Sequence, residues 1–199
     1  LQRLRALAPA IEIDVIASNS VSDLTRREAD IAIRHVRPTQ RDLIARLVRE
    51  STAHLYAARA YLDVFGRPTL ASDLSQADFI GFESPERLLP LLGSLGLSLS
   101  RRNFKLSSAN GVVIVELARQ GLGIVVAPKE FAALFGELEQ VLPDLEAIPV
   151  NTWLVTHREL HTSRRIRLVF DFLAEALSGD LTNQSTPVEH PSAAPTDEA

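Results

Sequence analysis

Residues 121–128 have the sequence GLGIVVAP, in which two glycines precede a short apolar run and a proline. Gly121 and Gly123 are suited to end a helix and to form a tight turn. The apolar run at 124–127 predicts a buried strand, and Pro128 closes it. The stretch therefore predicts a helix, a turn and a strand in succession, which is the repeating unit of an α/β fold.

The same alternation extends in both directions from this stretch. Upstream, Asn110 is placed to begin the helix that ends at Gly121, and downstream Ser163 is placed to cap a long amphipathic helix. Such strand–helix alternation predicts an α/β architecture with mostly parallel sheets. The further predicted strands are 30–33, 43–47, 52–58, 79–82, 104–107 and 151–156, and the further helices are 22–28, 86–95 and 130–135.

The first residues predict one more helix and one more strand. Leu1, Leu4 and Leu7 recur at helical spacing until Pro9 ends the pattern. The apolar residues at 11, 13 and 15 then alternate with acidic residues, which predicts a half-buried strand.

The charge of the chain lies in its last residues. The net charge is −4, and the four acidic side chains of residues 180–199 account for all of it, so residues 1–179 are neutral. A nucleic-acid-binding surface would concentrate lysine and arginine on one face, so any DNA contact is expected outside this chain. Residues 179–199 are rich in proline, serine and threonine and are predicted to be disordered.

Several classes of function find no support. The chain has no cysteine, no Gly-x-Ser-x-Gly elbow and no P-loop, so we expect neither an enzyme nor a cofactor. His157 and His161 are four residues apart, but Glu159 is not adjacent to His157 as a zincin helix requires, so no metal site is expected. No apolar run approaches the length of a membrane span, and the absence of cysteine is compatible with the cytoplasm.

Polar side chains follow several of the predicted strands. In open α/β sheets, ligands gather at the carboxyl ends of strands and at the N-termini of the helices that follow, where anions are favoured. Serine and asparagine in these positions also serve as plain helix caps, and that alternative stays open. The candidate ligand-binding residues are Ser18, Asn19, Ser20, Arg34, His35, Phe82, Glu83, Ser107, Ser108 and Asn110.

Four segments together resemble the effector domain of LysR-type transcription regulators. Residues 24–33 resemble the family's helix-to-strand signature, with Leu24 six residues before Asp30. Residues 57–74 are similar to its crossover strand and the turn beyond it, and residues 121–128 to its Gly-x-Gly-Ile motif with a following proline. Residues 153–155 and the closing arginine-rich helix resemble the end of the domain.

This resemblance implies a type 2 periplasmic-binding-protein-like fold, with two Rossmann-like lobes joined by two crossover segments. Lobe one would comprise residues 1–57 and 149–178, and lobe two residues 60–147. The family's first strand would precede Leu1. Its winged helix-turn-helix, through which it contacts DNA, would lie further upstream.

The resemblance also implies a function. The chain would bind a small anionic or polar effector between the lobes and transmit this to a DNA-binding domain. It would form a homodimer or homotetramer through Leu4, Ile11, Ile13 and the Asn110–Gln120 helix. A periplasmic solute-binding protein of a transport system, or an orphan sensing domain without DNA-binding output, remains an alternative.

Overall fold

The computed structural model describes residues 1–17 and 29–179. Helices and strands alternate along these residues, as an α/β fold requires. The predicted corner at Ser18, Asn19 and Ser20, the helix at 22–28 and the disordered tail from residue 180 onward lie outside the described residues. In chain order the elements are α1 (Gln2–Leu7), β1 (Ile31–Arg34), β2 (Leu43–Ala58), α2 (Arg59–Phe65), β3 (Phe79–Phe82), α3 (Pro85–Ser94), β4 (Phe104–Ser108), α4 (Gly111–Arg119), β5 (Val125–Pro128), α5 (Lys129–Ala132), β6 (Leu138–Val141), β7 (Ile148–His157) and α6 (Arg164–Ser178).

Two long strands, β2 and β7, pair antiparallel at the centre of the main sheet. Their register extends from the pair Leu43–His157 to the pair Ala53–Ile148. A β-bulge interrupts it at Val48, which has no partner in the ladder and is buried. The two extended segments predicted at 43–47 and 52–58 are therefore parts of one strand.

The other strands attach to this pair, and most of them do so antiparallel. The main sheet has the order β1-β7-β2-β5, β6 also pairs with β2, and every one of these pairings is antiparallel. Among the described strands, only the pair β3 and β4 and a bridge from Phe79 to Ile124 are parallel. The α/β class is confirmed, whereas the prediction of mostly parallel sheets is wrong for the described strands. The reason is that β2 and β7 run in opposite directions at the centre of the main sheet, and each further strand of this sheet pairs antiparallel with one of them.

The buried side chains form three clusters. Two lie on either side of the second half of β2, one around Phe79 and Leu92 and the other around Tyr56 and Val115. The third cluster packs the first half of β2 and the second half of β7 against α6, through Val48, Leu154, Phe170 and Ala174. Burial of a leucine such as Leu154 stabilises the fold by about 2 kcal/mol.

The first residues differ from the prediction. The helix α1 is present, but Leu4 is buried within the chain, at 1% exposure, so its predicted place in a contact with a partner is wrong. Residues 11–17 form no strand, and Val15 is 72% exposed. A strand needs a neighbouring strand for its backbone hydrogen bonds, and none of the described strands pairs with these residues.

Most of the central elements agree with their predicted positions, including α3, α4, β3, β4 and β5. The helix predicted at 130–135 is shorter, because after Ala132 the backbone continues in turns with bonds such as Phe135 N–H to the Ala132 carbonyl. Ser163 occupies the N-cap position of α6 as predicted. Its side chain, however, forms no capping hydrogen bond. Within residues 1–17 and 29–179, no helix is long and apolar enough to cross a membrane.

Gly123 permits the close approach of β5 to β3. Its φ is +149°, and a Cβ atom at this position would lie 2.6 Å from the carbonyl oxygen of Asp78. That oxygen accepts a hydrogen bond from the N–H of Ile124 at 2.8 Å. The glycine predicted to form a tight turn is thus also required by packing.

We expect Gly123→Ala to lower the free energy of unfolding by about 2 kcal/mol or more, because the backbone of Asp78 must move away. Gly93→Ala in α3 is the matched control, since nothing lies within 4 Å of the added Cβ atom. It should raise stability by about 0.5–1 kcal/mol. Urea unfolding of both variants measures the difference, and equal midpoints would contradict the packing argument.

Candidate functional site

The carboxyl ends of β3 and β4 lie side by side. Their parallel register places Gly81 beside Ser107 and Phe82 beside Ser108. The N–H of Glu83 donates to the carbonyl oxygen of Ser108 at 3.0 Å, which extends the pairing one residue beyond the strands. The predicted residues Phe82, Glu83, Ser107 and Ser108 are therefore brought together.

Asn110 joins these residues as the N-cap of α4. Its Oδ1 accepts hydrogen bonds from the N–H groups of Val112 at 2.9 Å and Val113 at 3.4 Å. The Oγ of Ser108 accepts from the N–H of Asn110 at 3.1 Å. The Asn110 amide oxygen is thus engaged in capping, which was the alternative to a ligand contact.

The carboxylate of Glu83 is also engaged. Glu83 has a positive φ of 56°, which is uncommon for a residue with a side chain. Its carboxylate forms an ion pair with Arg87, one turn along α3. The next residue, Ser84, donates its hydroxyl to Glu86. The negative charge of Glu83 is therefore locally balanced by Arg87.

A third strand end lies on the same edge. The N–H of Ile80 donates to the carbonyl oxygen of Ile124 at 2.8 Å, in the parallel sense, so β5 runs beside β3. The carboxyl end of β5 is Pro128, and Glu130 follows in α5. We call the three strand ends together, at residues 82–84, 107–110 and 128–130, the strand-end edge.

Glu130 was not predicted as a site residue. It is half-buried and accepts a hydrogen bond from the hydroxyl of Ser51 in β2. Among the described residues, no lysine, arginine or histidine forms an ion pair with it. Two features of the sequence could have pointed to Glu130. One is the position of its carboxylate two residues after a predicted strand that ends in proline, and the other is the hydroxyl of Ser51 within a strand-forming run.

The remaining predicted residues, Arg34 and His35, lie at the end of β1. Arg34 pairs with Trp153 of β7, and the imidazole Nδ1 of His35 donates to the carbonyl oxygen of Asn151 at 3.2 Å. The guanidinium of Arg37 lies 5.3 Å from the ring centroid of Trp153. We call Arg34 and His35 the basic corner.

The crossing strands set the separation between the basic corner and the strand-end edge. In β7, Trp153 lies beside Arg34, and Val150 lies beside Ser51, which contacts Glu130. Three residues of an antiparallel strand span about 10 Å. Because Trp153 and Val150 are an odd number of residues apart, Arg34 and Ser51 extend from opposite faces of the sheet.

A row of polar groups continues along β2. The amide Nε2 of Gln140 donates to Nδ1 of His54 at 3.1 Å, so Nε2 of His54 donates to Oγ1 of Thr52, also at 3.1 Å. Burial raises the pKa of Tyr56, and the nearby negative charge of Glu130 raises it further. Tyr56 is thus a neutral phenol close to the Glu130 carboxylate.

The two histidines considered for metal binding are separated in their contacts. His157 is 3.0 Å from the carboxylate of Asp42, whereas the ring of His161 packs edge-on against Phe170. In the part of the chain that the structure describes, no three histidine, aspartate or glutamate side chains come together as metal ligands would.

Comparison with known proteins gives consistent matches. A family model described as LysR substrate binding domain matches residues 1–178. The HTH-type transcriptional activator TtdR of Escherichia coli (strain K12) is 27% identical over 173 residues, which cover 83% of this chain and 55% of TtdR. The HTH-type transcriptional regulator CrgA of Neisseria meningitidis is 25% identical, covering 87% of this chain and 60% of CrgA. The chain thus spans little more than half the length of these relatives.

Solved structures have the same fold. The CrgA regulatory domain from Neisseria meningitidis superposes with a TM-score of 0.75 at 22% identity, covering 88% of this chain and 89% of that one. Full-length AphB of Vibrio cholerae, a virulence activator of the LTTR family, superposes with a TM-score of 0.67 at 25% identity, covering 88% of this chain and 61% of AphB. The implied regulatory-domain fold is confirmed by these likenesses.

We expect Asn110→Ala to lower the free energy of unfolding by about 1 kcal/mol, because two N–H groups at the start of α4 lose their acceptor. Asn110→Asp keeps an acceptor oxygen at the helix N-terminus and should unfold close to the parent chain. Urea unfolding of the two variants is the measurement. An unchanged midpoint for Asn110→Ala would show that the cap contributes little.

Proposed function

Because the chain belongs to the LysR substrate-binding-domain family, we propose that it is the ligand-sensing domain of a LysR-type DNA-binding transcription regulator. The observation that carries this proposal is the family-model match over residues 1–178. The curated relatives are named as HTH-type regulators, and this chain aligns with only part of each. DNA contact is therefore assigned to a helix-turn-helix outside this chain, in a cytoplasmic protein.

We further propose that lobe one comprises residues 1–57 and 149–178, and lobe two residues 60–147. A division into two parts is supported by the core clusters, because the one around Leu154 and Phe170 involves α6, whereas the two larger clusters surround β3 to β5. The larger clusters also include residues from the second half of β2, from Ala53 to Ala57, so the side chains of this segment pack with lobe two. The effector would bind between the basic corner and the strand-end edge. Binding that favours one arrangement of the lobes shifts their populations, and this is the signal.

The effector is proposed to be a small anionic or polar metabolite. Its anionic group would bind at Arg34 and His35, and its polar groups at Ser107, Ser108 and the start of α4. No residue is assigned a catalytic role.

An antiparallel homodimer is proposed for the same chain, with a homotetramer as its extension. The two proposed lobes have opposite charge: lobe one has 13 basic and 10 acidic residues, a net of +3, and lobe two has 7 and 11, a net of −4. Exposed apolar side chains lie on the elements concerned, with Ile13 38% exposed beyond α1, Leu106 38% on β4 and Val112 59% on α4. Contact between lobe one of one copy and lobe two of the other would cover these residues and pair opposite charges.

Ligand binding is expected to change the fluorescence of Trp153, the single tryptophan, because it pairs with Arg34 in the sheet. Arg34→Gln should weaken the binding of a small carboxylate by about tenfold, because a charge-assisted hydrogen bond is lost. Arg46→Gln, at an exposed position of β2, is the control and should leave the affinity unchanged. Titration with a panel of small carboxylates tests the proposal, and a panel without any response contradicts it.

Association is expected to weaken at high ionic strength, because salt screens the attraction between oppositely charged lobes. Leu106→Asp should shift the chain toward monomer by placing a charge in the apolar contact. Leu91→Asp on α3 matches it in exposure, at 37% against 38%, and should not. Sedimentation velocity at low and high salt measures both effects. A monomer under every condition would rule out the dimer.

A further inference from the structure

One end of the proposed lobe one carries a group of exposed arginines. The ladder between β2 and β7 ends at the pair Leu43–His157, and Arg41 and Arg158 lie just beyond it. The backbone N–H of Arg158 donates to the carbonyl oxygen of Asp42 at 2.8 Å, and its guanidinium donates to the carbonyl oxygen of Arg41 at 3.5 Å. These bonds hold the two arginines side by side at the end of the ladder.

The start of α6 lies at the same end of the lobe. After β7 the chain makes a short 3-10 turn, Leu160–Thr162, and α6 then begins. From there α6 packs back along the ladder, because Phe170 contacts the core of β2 and β7 and the carbonyl oxygen of Gly179 accepts a hydrogen bond from Arg49. We call the exposed arginines of both places the arginine end: Arg41, Arg158, Arg164, Arg165 and Arg167.

The arginine end accounts for the whole positive charge of lobe one. Its five arginines are accompanied by two acidic residues, Asp42 and Glu159, which leaves a net charge of +3. The remaining residues of lobe one contain eight basic and eight acidic side chains and are neutral. Residues 18–28 belong to this neutral remainder, with two arginines and two acidic residues, so they do not balance the arginine end.

The charges along α6 are arranged against its dipole. Three arginines lie at its N-terminus, whose first turn contains no acidic residue, while Asp171 and Glu175 lie further along. A helix favours the opposite order, with acidic side chains at the N-terminus and basic ones at the C-terminus. The arrangement lowers the stability of the helix, and folding rules are broken in this way mainly at functional surfaces.

Phosphate groups are the partners that such a surface binds best. A guanidinium binds phosphate oxygens through paired hydrogen bonds, and contacts of this kind position proteins on the DNA backbone. In the proposed regulator, a helix-turn-helix holds this domain close to DNA, so phosphates are present at a high effective concentration and a weak contact suffices. The neutrality of residues 1–179 does not oppose such a contact, because it results from the acidic lobe two.

We propose that the arginine end binds the phosphate backbone of duplex DNA, without reading its sequence, beside the site bound by the helix-turn-helix. This inference rests on the proposed function, and it adds a DNA contact within this chain to the one assigned outside it. The phosphates repel the acidic lobe two, so the contact also orients the domain on the DNA.

Binding of the 199-residue chain to a fluorescently labelled duplex of about 30 base pairs and arbitrary sequence is measured by anisotropy at several salt concentrations. We expect weak binding whose log K falls linearly with the logarithm of the salt concentration. The α6 triple variant, Arg164→Gln with Arg165→Gln and Arg167→Gln, should bind at least about tenfold more weakly at about 50 mM salt. Its slope should be smaller by about 2.7, because three phosphate contacts are lost.

The matched control is Arg46→Gln with Arg101→Gln and Arg102→Gln, which removes the same charge from exposed positions elsewhere and should keep the slope of the parent chain. Urea unfolding checks the fold. The α6 triple variant should be at least as stable as the parent chain, because arginines at a helix N-terminus oppose the dipole. A second variant outside the helix, Arg41→Gln with Arg158→Gln, should reduce the slope by about 1.8.

The acidic side chains of residues 180–199 are the competing partner within the chain. Glu189→Gln with Asp197→Asn and Glu198→Gln removes three of the four. The effect of the α6 substitutions on DNA binding should be the same with and without these changes. An effect that appears only after the acidic residues are replaced means that they occupy the arginine end, and it overturns the inference.

Two further results overturn the inference and leave the sensing function intact. One is an absence of DNA binding by the parent chain at low salt. The other is a loss of dimer by the α6 triple variant in sedimentation velocity at unchanged DNA affinity, which assigns the arginines to a contact between copies. A chain that binds DNA through the arginine end but responds to no carboxylate supports this surface and counts against ligand sensing alone.

Discussion

The antiparallel ladder between β2 and β7 is the constraint on which the candidate site depends. Of the described elements, β2 and β7 both extend from the cluster around Phe170 to the cluster around Phe79, and β2 also enters the cluster around Tyr56. Because β1 and β5 are attached to opposite ends of the ladder, their polar ends are held at a fixed spacing. Any rearrangement that brings the basic corner and the strand-end edge closer must bend this ladder, since its hydrogen bonds resist sliding.

Electrostatics then distinguishes acidic residues with several partners in the fold from those with few. Arg59 and Arg67 both contact Glu139, which lowers the pKa of that carboxyl group through hydrogen bonds and charge. Asp73 accepts hydrogen bonds from the N–H groups of Thr69 and Leu70, which also lower its pKa. These acidic groups are satisfied by neighbouring groups of the chain itself. Among the described residues, Glu130 differs from them in having only the Ser51 hydroxyl as a hydrogen-bond partner of its carboxylate.

Local patterns in the sequence predicted much of the fold and part of the site. The glycine pair at 121 and 123, the cap at Asn110 and the parallel strand ends at Phe82 and Ser108 act over a few residues, and they were found where predicted. Strand direction was wrong because it depends on which distant strands pair, and periodicity carries no information about that. Burial of Leu4 was missed for a similar reason, since helical spacing identifies an apolar face but not what covers it. The contact of Glu130 with Ser51 could not be predicted, because it depends on the pairing of β2 with β5.

The bulge at Val48 has a consequence for how this domain varies during evolution. Cross-strand partners in β2 and β7 share a face of the sheet, and at Val48 the longer strand contains one residue without a partner. A relative lacking one residue here would keep every other pairing, whereas a deletion elsewhere in β2 would turn the following side chains to the opposite face. A deletion at this position is therefore expected to disturb the ladder less than one elsewhere in β2, at the cost of one buried valine. Alignments of the family should place gaps there rather than within the segment that contains Ser51.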